Sequence, residues 1–438
     1  MKIKVENKKY ADLLVKKEEI RAKHKKHQNP IKPNMFFRTL MRLVSIPDLV
    51  STHFKLERKG MERLSKGQPT LVLMNHSSFI DLEIVARVMY PRPFNIVATT
   101  DGFIGKNWLM RNIGCIPTKK FVNDPALLKD IHYAINELKS SVVMFPEAGY
   151  TFDGTSTSLP DSLGRFVKSL GVPVVMITTY GAFARDPLYN NLQPRRVNVS
   201  ATEEYLLSSE DIEKMTDEQI NTAIRDAFAF DNFRWQQRTR VKINEPFRAD
   251  YLNRVLYKCP ACLAEGHMIG RGVTLSCAEC GKKYTLDEYG YMVAESGATE
   301  FKHIPEWYEW QRREVRRDID EGRYSLDIPV EILATIDTKH LYRIGDGRLV
   351  HTSDGFTLTG CDGELKYEQR PLASYTLNSD FNWYEIGDMI SIGNGSIQYY
   401  CFPKISDDVV TKARLATEEI YKIVRALKQS QRLCTATQ

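Results

Sequence analysis

Between residues 69 and 230, short, almost wholly apolar runs alternate with helix-forming stretches, and this pattern limits the fold more than any other feature of the chain. Leu71-Val72-Leu73-Met74 is one such run, and residues 95–98, 142–145 and 172–177 are others. Runs this short, without a polar face, fit strands covered on both sides by helices. The intervening segments carry helix starts. Asp124-Pro125 offers an N-cap followed by proline at the first helical position, with Leu127, Leu128, Ile131, Ile135 and Leu138 along one face. Thr216 and Gln219 have capping-box spacing and open a helix running to Phe228. Strand and helix in alternation predict an α/β domain with a largely parallel central sheet.

The rest of the chain changes character in stages. With 438 residues there is room for two or three domains, each with its own core. Residues 1–60 read as a basic and amphipathic N-terminal helical segment, with a first helix ending near Pro30 and Pro33. Within it, Phe36, Phe37, Leu40, Met41, Leu43 and Val44 have mostly helical spacing, with Arg38 and Arg42 between them. That pattern suits a helix lying in a membrane interface, and it suits a helix docked on a domain core equally well. Residues 61–250 hold the α/β domain and residues 251–300 a small cysteine-bearing module. Residues 301–325 form a linker helix rich in Trp and Arg, read first as domain packing. From 326 to 438 short strands are broken by turns such as Gly345-Asp346-Gly347, Asp362-Gly363 and Gly393-Asn394-Gly395. A closing helix places Val410, Ala413, Ala416, Ile420, Ile423 and Leu427 on one face. Strands followed by one helix look like a small β-barrel of pleckstrin-homology type.

The chemistry concentrates in Asn75-His76-Ser77-Ser78-Phe79-Ile80-Asp81. His76 falls at the C-terminal end of an expected strand and Asp81 in the first turn of the next helix, the edge where α/β sheets bind ligands. Asp81 can then hold one ring nitrogen of His76 while the other takes a proton from a substrate hydroxyl. A second segment, Phe145-Pro146-Glu147-Ala148-Gly149, follows another buried strand on the same sheet edge. With Gly114-Cys115-Ile116-Pro117-Thr118-Lys119-Lys120 and the strand at Val172-Pro173-Val174, the order and spacing resemble the glycerolipid acyltransferase family over about residues 70–200. That family's blocks read N-H-x-x-x-x-D, G-x-I-x-x-x-basic, F-P-E-G-T-R and V-P-[VI].

The resemblance implies transfer of a fatty acyl group from acyl-CoA or acyl carrier protein to lysophosphatidate or glycerol-3-phosphate. It makes His76 the general base and Asp81 its orienting partner. Asn75, Lys119, Lys120, Glu147 and Gly149 fall at substrate-binding positions, the lysines standing where the family has a phosphate-binding arginine. Lysine gives a point charge in place of a planar fork. The loop itself departs from the family: Glu147-Ala148-Gly149-Tyr150 replaces E-G-T-R, leaving Arg165 or Arg185 as weak substitutes for its cation. Acylation of another lipid alcohol or amine, or a silent membrane-docking role, therefore stays open.

Cys259, Cys262, Cys277 and Cys280 form two C-x-x-C pairs fourteen residues apart, the spacing of a zinc ribbon. Four thiolates leave no open coordination position, so the zinc is expected to be structural. Cys115, Cys361, Cys401 and Cys434 stand alone and read as ordinary buried or tail residues. No basic and aromatic stripe follows the ribbon, so no nucleic-acid partner is expected. No run reaches the ~20 apolar residues of a membrane span, and no signal-peptide core opens the chain. The expected location is the cytoplasm, peripherally at the inner membrane face. There, cations such as Lys4, Lys8, Lys9, Lys16 and Lys17 would meet anionic lipid.

Overall fold

The computed structural model describes residues 3–23, 27–120, 124–405 and 409–436, with side chains as far as residue 431. A seven-stranded sheet runs in the order Lys55–Lys59, Ser200–Leu207, Val174–Tyr180, Leu71–Met74, Ser141–Met144, Phe94–Thr99, Cys115–Thr118. Neighbouring strands are parallel except for the pair Val174–Tyr180 and Ser200–Leu207. All four residues of Leu71–Met74 are buried because the strand is central and covered on both faces. Side chains alternate across a strand. Val72 and Met74 accordingly join Ile80, Ile84, Val85 and Leu49 on one face, while Leu71 and Leu73 join Ile131, Ile135, Leu163, Val167 and Ile224 on the other.

The helix Pro125–Asn136 starts where its sequence signals it, with the Asp124 carboxylate accepting from the Ala126 and Leu127 amides. Its buried face is Ile131, Ala134 and Ile135, whereas Leu128 points to solvent. The Thr216–Gln219 capping box opens the helix Asp217–Phe228.

The N-terminal basic stretch is not one helix to Pro33. Val5–Asn7 is a strand paired in parallel with Leu341–Arg343, then a helix spans Tyr10–Ala22. The edge strand finds its hydrogen bonds there, and Ile3 and Val5 pack near Leu333, Leu341 and Trp383. Lys16 donates to the Tyr342 hydroxyl at 2.6 Å, so part of the positive charge faces protein. The next helix, Met35–Ser51, buries only a narrow stripe of Phe37, Ser45 and Leu49. Arg38 donates to the Pro91 carbonyl and Arg42 lies over the Tyr90 ring, so both cations are engaged with the body of the protein.

Residues 268–294 form a four-stranded antiparallel sheet that carries Cys277. The helix Ile304–Asp320 buries Trp307, Tyr308, Gln311 and Val315, in keeping with its reading as domain packing. The Trp307 indole donates to the Lys258 carbonyl at 3.0 Å, tying the helix to the cysteine module.

The last sheet joins two antiparallel meanders, residues 326–369 and 378–403, through the pairing of Leu326–Thr335 with Gln398–Pro403. The helix Val409–Ala436 then buries Val410, Ala413, Ala416 and Ile420, while Leu427 is exposed. Gly345-Asp346-Gly347 is not a turn, because the strand Leu341–Thr352 continues through it, with a bulge beside Gly345. Gly347 faces Gly360 across the ladder, and an added Cβ on Gly347 would come within 2.5 Å of Ile332 Cδ1. Gly347 and Gly360 serve packing inside a sheet, a role that turn-like composition conceals. The molecule is thus a mixed, largely parallel α/β sheet flanked by helices, a four-cysteine module, and an antiparallel sheet with its helix.

Candidate active site

His76 follows the central strand directly, and three contacts fix it. Its backbone N–H donates to Glu147 Oε2 at 2.9 Å, and its Nδ1 lies 3.1 Å from Asp81 Oδ2. Its carbonyl accepts from the Thr151 amide at 3.2 Å. The ring is flanked by Phe145 and Tyr150, with centroids 4.3 and 4.0 Å away. The imidazole retains 18% exposure, enough for one edge to reach a substrate.

Asp81 is fully buried in the first turn of the helix Ile80–Met89. Its Oδ2 also accepts from the Ser77 and Ser78 amides at 2.7 and 3.1 Å. Those amides orient the carboxylate toward His76, as backbone donors at a helix N-terminus favour an anion. Burial lowers the His76 pKa from its ordinary 6.5, opposed by the hydrogen bond and charge of Asp81, with Lys120 adding to the lowering. That direction favours the neutral form of the ring.

Glu147 is 2% exposed and uses both oxygens, Oε2 on the His76 amide and Oε1 on the Thr157 amide at 2.7 Å. Burial pushes its carboxyl up to about 7, against those bonds and the charge of Arg414. It thus ties two loops together beneath His76. Asn75 Oδ1 accepts from the Thr179 amide at 2.8 Å, joining the ends of adjacent strands. Gly149 lies in the same loop with open space where a Cβ would stand. Ala148, at the position of the family's first loop glycine, holds φ of 54°, a left-handed conformation that costs an alanine about 1 kcal/mol.

Lys119 and Lys120 part company. Lys119 donates to the Gly395 carbonyl of the C-terminal sheet, and burial lowers its pKa. Lys120 bears electrostatically on both His76 and Asp380. Neither weak substitute for the loop cation reaches the loop. Arg165 is exposed and pairs with Asp217, while Arg185 pairs with Asp48 and Asp186.

Several residues at the site carry no local sequence signal. Ser78 donates to the buried Asp186, whose carboxyl burial pushes up to about 7. Tyr375, Asp380, Phe381 and Arg414 arrive from the C-terminal half. The Tyr375 hydroxyl donates to the Pro146 carbonyl at 3.3 Å, and burial pushes Asp380 up to about 7. Only the tertiary fold puts these groups beside residues 145–152.

The four cysteine sulfurs lie within 4.8 Å of one another, with Cys259–Cys280 at 3.8 Å and Cys262–Cys277 at 3.7 Å. Sulfurs around a tetrahedral zinc, each bonded at about 2.3 Å, stand about 3.8 Å apart, so the donor set fits a closed thiolate site. His267 is exposed, 3.9 Å from Glu279. Cys115, Cys361 and Cys401 are buried free thiols, and the Cys434 side chain lies outside the described residues. Phe228 and Phe233 are core residues.

A histidine held by a buried carboxylate thus stands at a sheet edge, beside a loop that opens Phe-Pro-Glu. Residues 55–179 match the family model described as Acyltransferase, so the chain carries an acyltransferase domain and is an enzyme of that class. Over the same stretch its motif blocks are similar to those of the glycerolipid acyltransferases. The chain is also similar to the crystal structure of the 1-acyl-sn-glycerophosphate (LPA) acyltransferase, PlsC, from Thermotoga maritima. The TM-score is 0.33 at 16% identity, covering 43% of this chain and 76% of that one.

Proposed function

We propose that this enzyme moves a fatty acyl group from acyl-CoA or acyl carrier protein to the hydroxyl of lysophosphatidate or glycerol-3-phosphate in phospholipid synthesis. The observation that carries the reading is the His76–Asp81 contact at 3.1 Å, with the His76 backbone held independently by Glu147. With Nδ1 turned to Asp81, Nε2 is the proton acceptor. As the acceptor hydroxyl attacks the thioester carbonyl, its proton passes to Nε2 and a C–O bond forms. The C–S bond then breaks, and the imidazolium returns the proton to the departing thiolate. Asp81 stabilises the imidazolium between these steps. Lys120 is assigned to the acceptor phosphate, since Lys119 is already bonded to Gly395. Asn75, Glu147 and Gly149 shape and position the binding loops.

A second reading, acylation of a different lipid alcohol or of an amine, is favoured by Tyr150. Its ring covers His76 at the position where the family's loop carries arginine, with the half-buried Asp380 bearing on it. An uncharged or cationic head group meets less opposition there than a phosphate dianion does.

Two accessory roles follow. Zinc held by Cys259, Cys262, Cys277 and Cys280 would stabilise the small module without taking part in the chemistry. Among the described residues no helix is long and apolar enough to cross a membrane. Phe36, Leu43, Val44 and Val50 on the helix Met35–Ser51 are 57–68% exposed, and Phe79, Leu82 and Trp108 extend the apolar set. We assign this set to peripheral docking on a lipid surface at the cytoplasmic face, which brings His76 to its lipid substrate.

The test is acyl transfer by the purified full chain in detergent, from a labelled long-chain acyl-CoA or acyl carrier protein, to each acceptor. His76→Ala should lose roughly 10²–10⁴-fold. Transfer to neither acceptor from either donor by folded protein refutes the glycerolipid reading, and a panel of lipid alcohols and amines then decides the second.

A further inference from the structure

Between Phe145 and Asp153 the catalytic loop contains no basic residue. A cation nonetheless grips it from more than 260 positions further along the chain. Arg414, 4% exposed on the helix Val409–Ala436, donates from Nη1 to the Tyr150 carbonyl at 3.3 Å. Its guanidinium lies 4.3 Å from the Phe152 ring, which packs on Phe381 of the last sheet at 4.3 Å. The Tyr375 hydroxyl holds the Pro146 carbonyl on the other side of Glu147.

Arg414 is itself locked. Its Nε is 3.6 Å from Glu418 Oε1, and the buried Glu418 also accepts from Thr376 and from Arg312, the latter at 2.6 Å. Taking such a set of charges out of water is costly, and packed apolar side chains would often serve stability as well or better. A buried ionic group aimed at a backbone carbonyl of the loop fixes where that backbone lies.

We propose that Arg414 is a positioning residue for the acyl-transfer site. Through it the C-terminal sheet and helix set the register of residues 146–152, and hence of Glu147 and the His76 amide. The C-terminal half is then a working part of the active site, not an independent binding module. This rests on His76 being the base. Its physical core, restraint of the loop, can be measured without substrate.

The experiment compares the full-length wild type with Arg414→Gln, Arg414→Lys and Tyr375→Phe. Amide hydrogen exchange is followed over residues 145–157, beside steady-state acyl transfer. In Arg414→Gln the loop should exchange about tenfold faster or more, while the strands Leu71–Met74 and Val174–Tyr180 stay as protected as in wild type. kcat should fall by about 10–100-fold with KM for donor and acceptor within about threefold, the pattern of a misaligned base. The acid limb of the pH profile should move to higher pH, because the cation that favours ionised Glu147 is gone. Arg414→Lys should recover part of each loss, since lysine keeps the charge but not the fork. Unchanged loop exchange, exchange raised equally throughout the protein, or kcat within about twofold of wild type each overturn the proposal. Should Arg414→Gln fail to fold, Tyr375→Phe carries the exchange and kcat readouts in the same direction, without the shift of the pH profile. If wild type transfers to neither acceptor, the exchange result alone decides loop restraint, and the choice of substrate fails separately.

Discussion

Replacing Asp81 by asparagine removes one charge from a fully buried position and almost nothing else. The carboxylate accepts from His76 Nδ1, Ser77 N and Ser78 N through one oxygen, and an asparagine oxygen can keep the two backbone bonds. What disappears is the anion facing the imidazolium formed as the acceptor hydroxyl is deprotonated. Opposite charges about 4 Å apart attract by about 4 kcal/mol at an effective dielectric of about 20. Each ~1.4 kcal/mol is tenfold in rate, so kcat should fall by about 10²–10⁴. Asp81 is buried behind His76, so KM should move by no more than about threefold. The assay is thiol release from acyl-CoA in the presence of acceptor, with thermal unfolding and zinc content checked beside it. A folded Asp81→Asn protein keeping more than about a tenth of wild-type kcat would refute the base–carboxylate argument.

Asp380 tests the electrostatics around Tyr150. Its carboxyl, ordinarily near 3.8, is pushed up to about 7 by burial. The stability it contributes is present at low pH and is lost as pH rises through about 7, where ionisation proceeds at a cost the unfolded chain does not bear. Asp380→Asn should therefore gain melting temperature relative to wild type more at about pH 8.5 than at about pH 5, and the opposite order counts against the assignment. For the metal, protein purified under reducing conditions should contain a single zinc, which Cys262→Ser should largely lose along with thermal stability. Zinc-free protein that melts identically with and without chelator would dispose of it. For the membrane face, Phe36→Asp combined with Val44→Asp should weaken flotation with anionic phospholipid vesicles by about tenfold or more. Unchanged flotation would mean that another surface docks.

The α/β core and the His76–Asp81 contact were legible because their signals are local. The strand at Leu71-Val72-Leu73-Met74, the Asp124 and Thr216 caps and the turn from His76 to Asp81 all depend on residues within a few positions of one another. The two C-x-x-C pairs are equally self-contained, since each needs only one tight knuckle. Failures came where a residue's environment is built from distant chain. Gly347 looks like part of a turn until Gly360 and Ile332 are brought against the strand. The basic N-terminus looks like one solvated helix until the edge at Leu341–Arg343 captures Val5–Asn7.

Glu147 shows the same division within the site. Its type and spacing place it in the Phe-Pro-Glu motif, whereas its two bonds, to the His76 and Thr157 amides, need the loop closed over the sheet edge. The α/β sheet, the His76–Asp81 pair and the four-cysteine site could be read from the residues alone, because periodicity, capping and short spacing act within one or two elements. The tertiary structure alone decided that Arg414, Tyr375 and Asp380 stand at the catalytic loop, and that Lys119 is bonded while Lys120 bears on His76. Burial and long-range contact set charge states and backbone positions, and neither is written in any local run of residues.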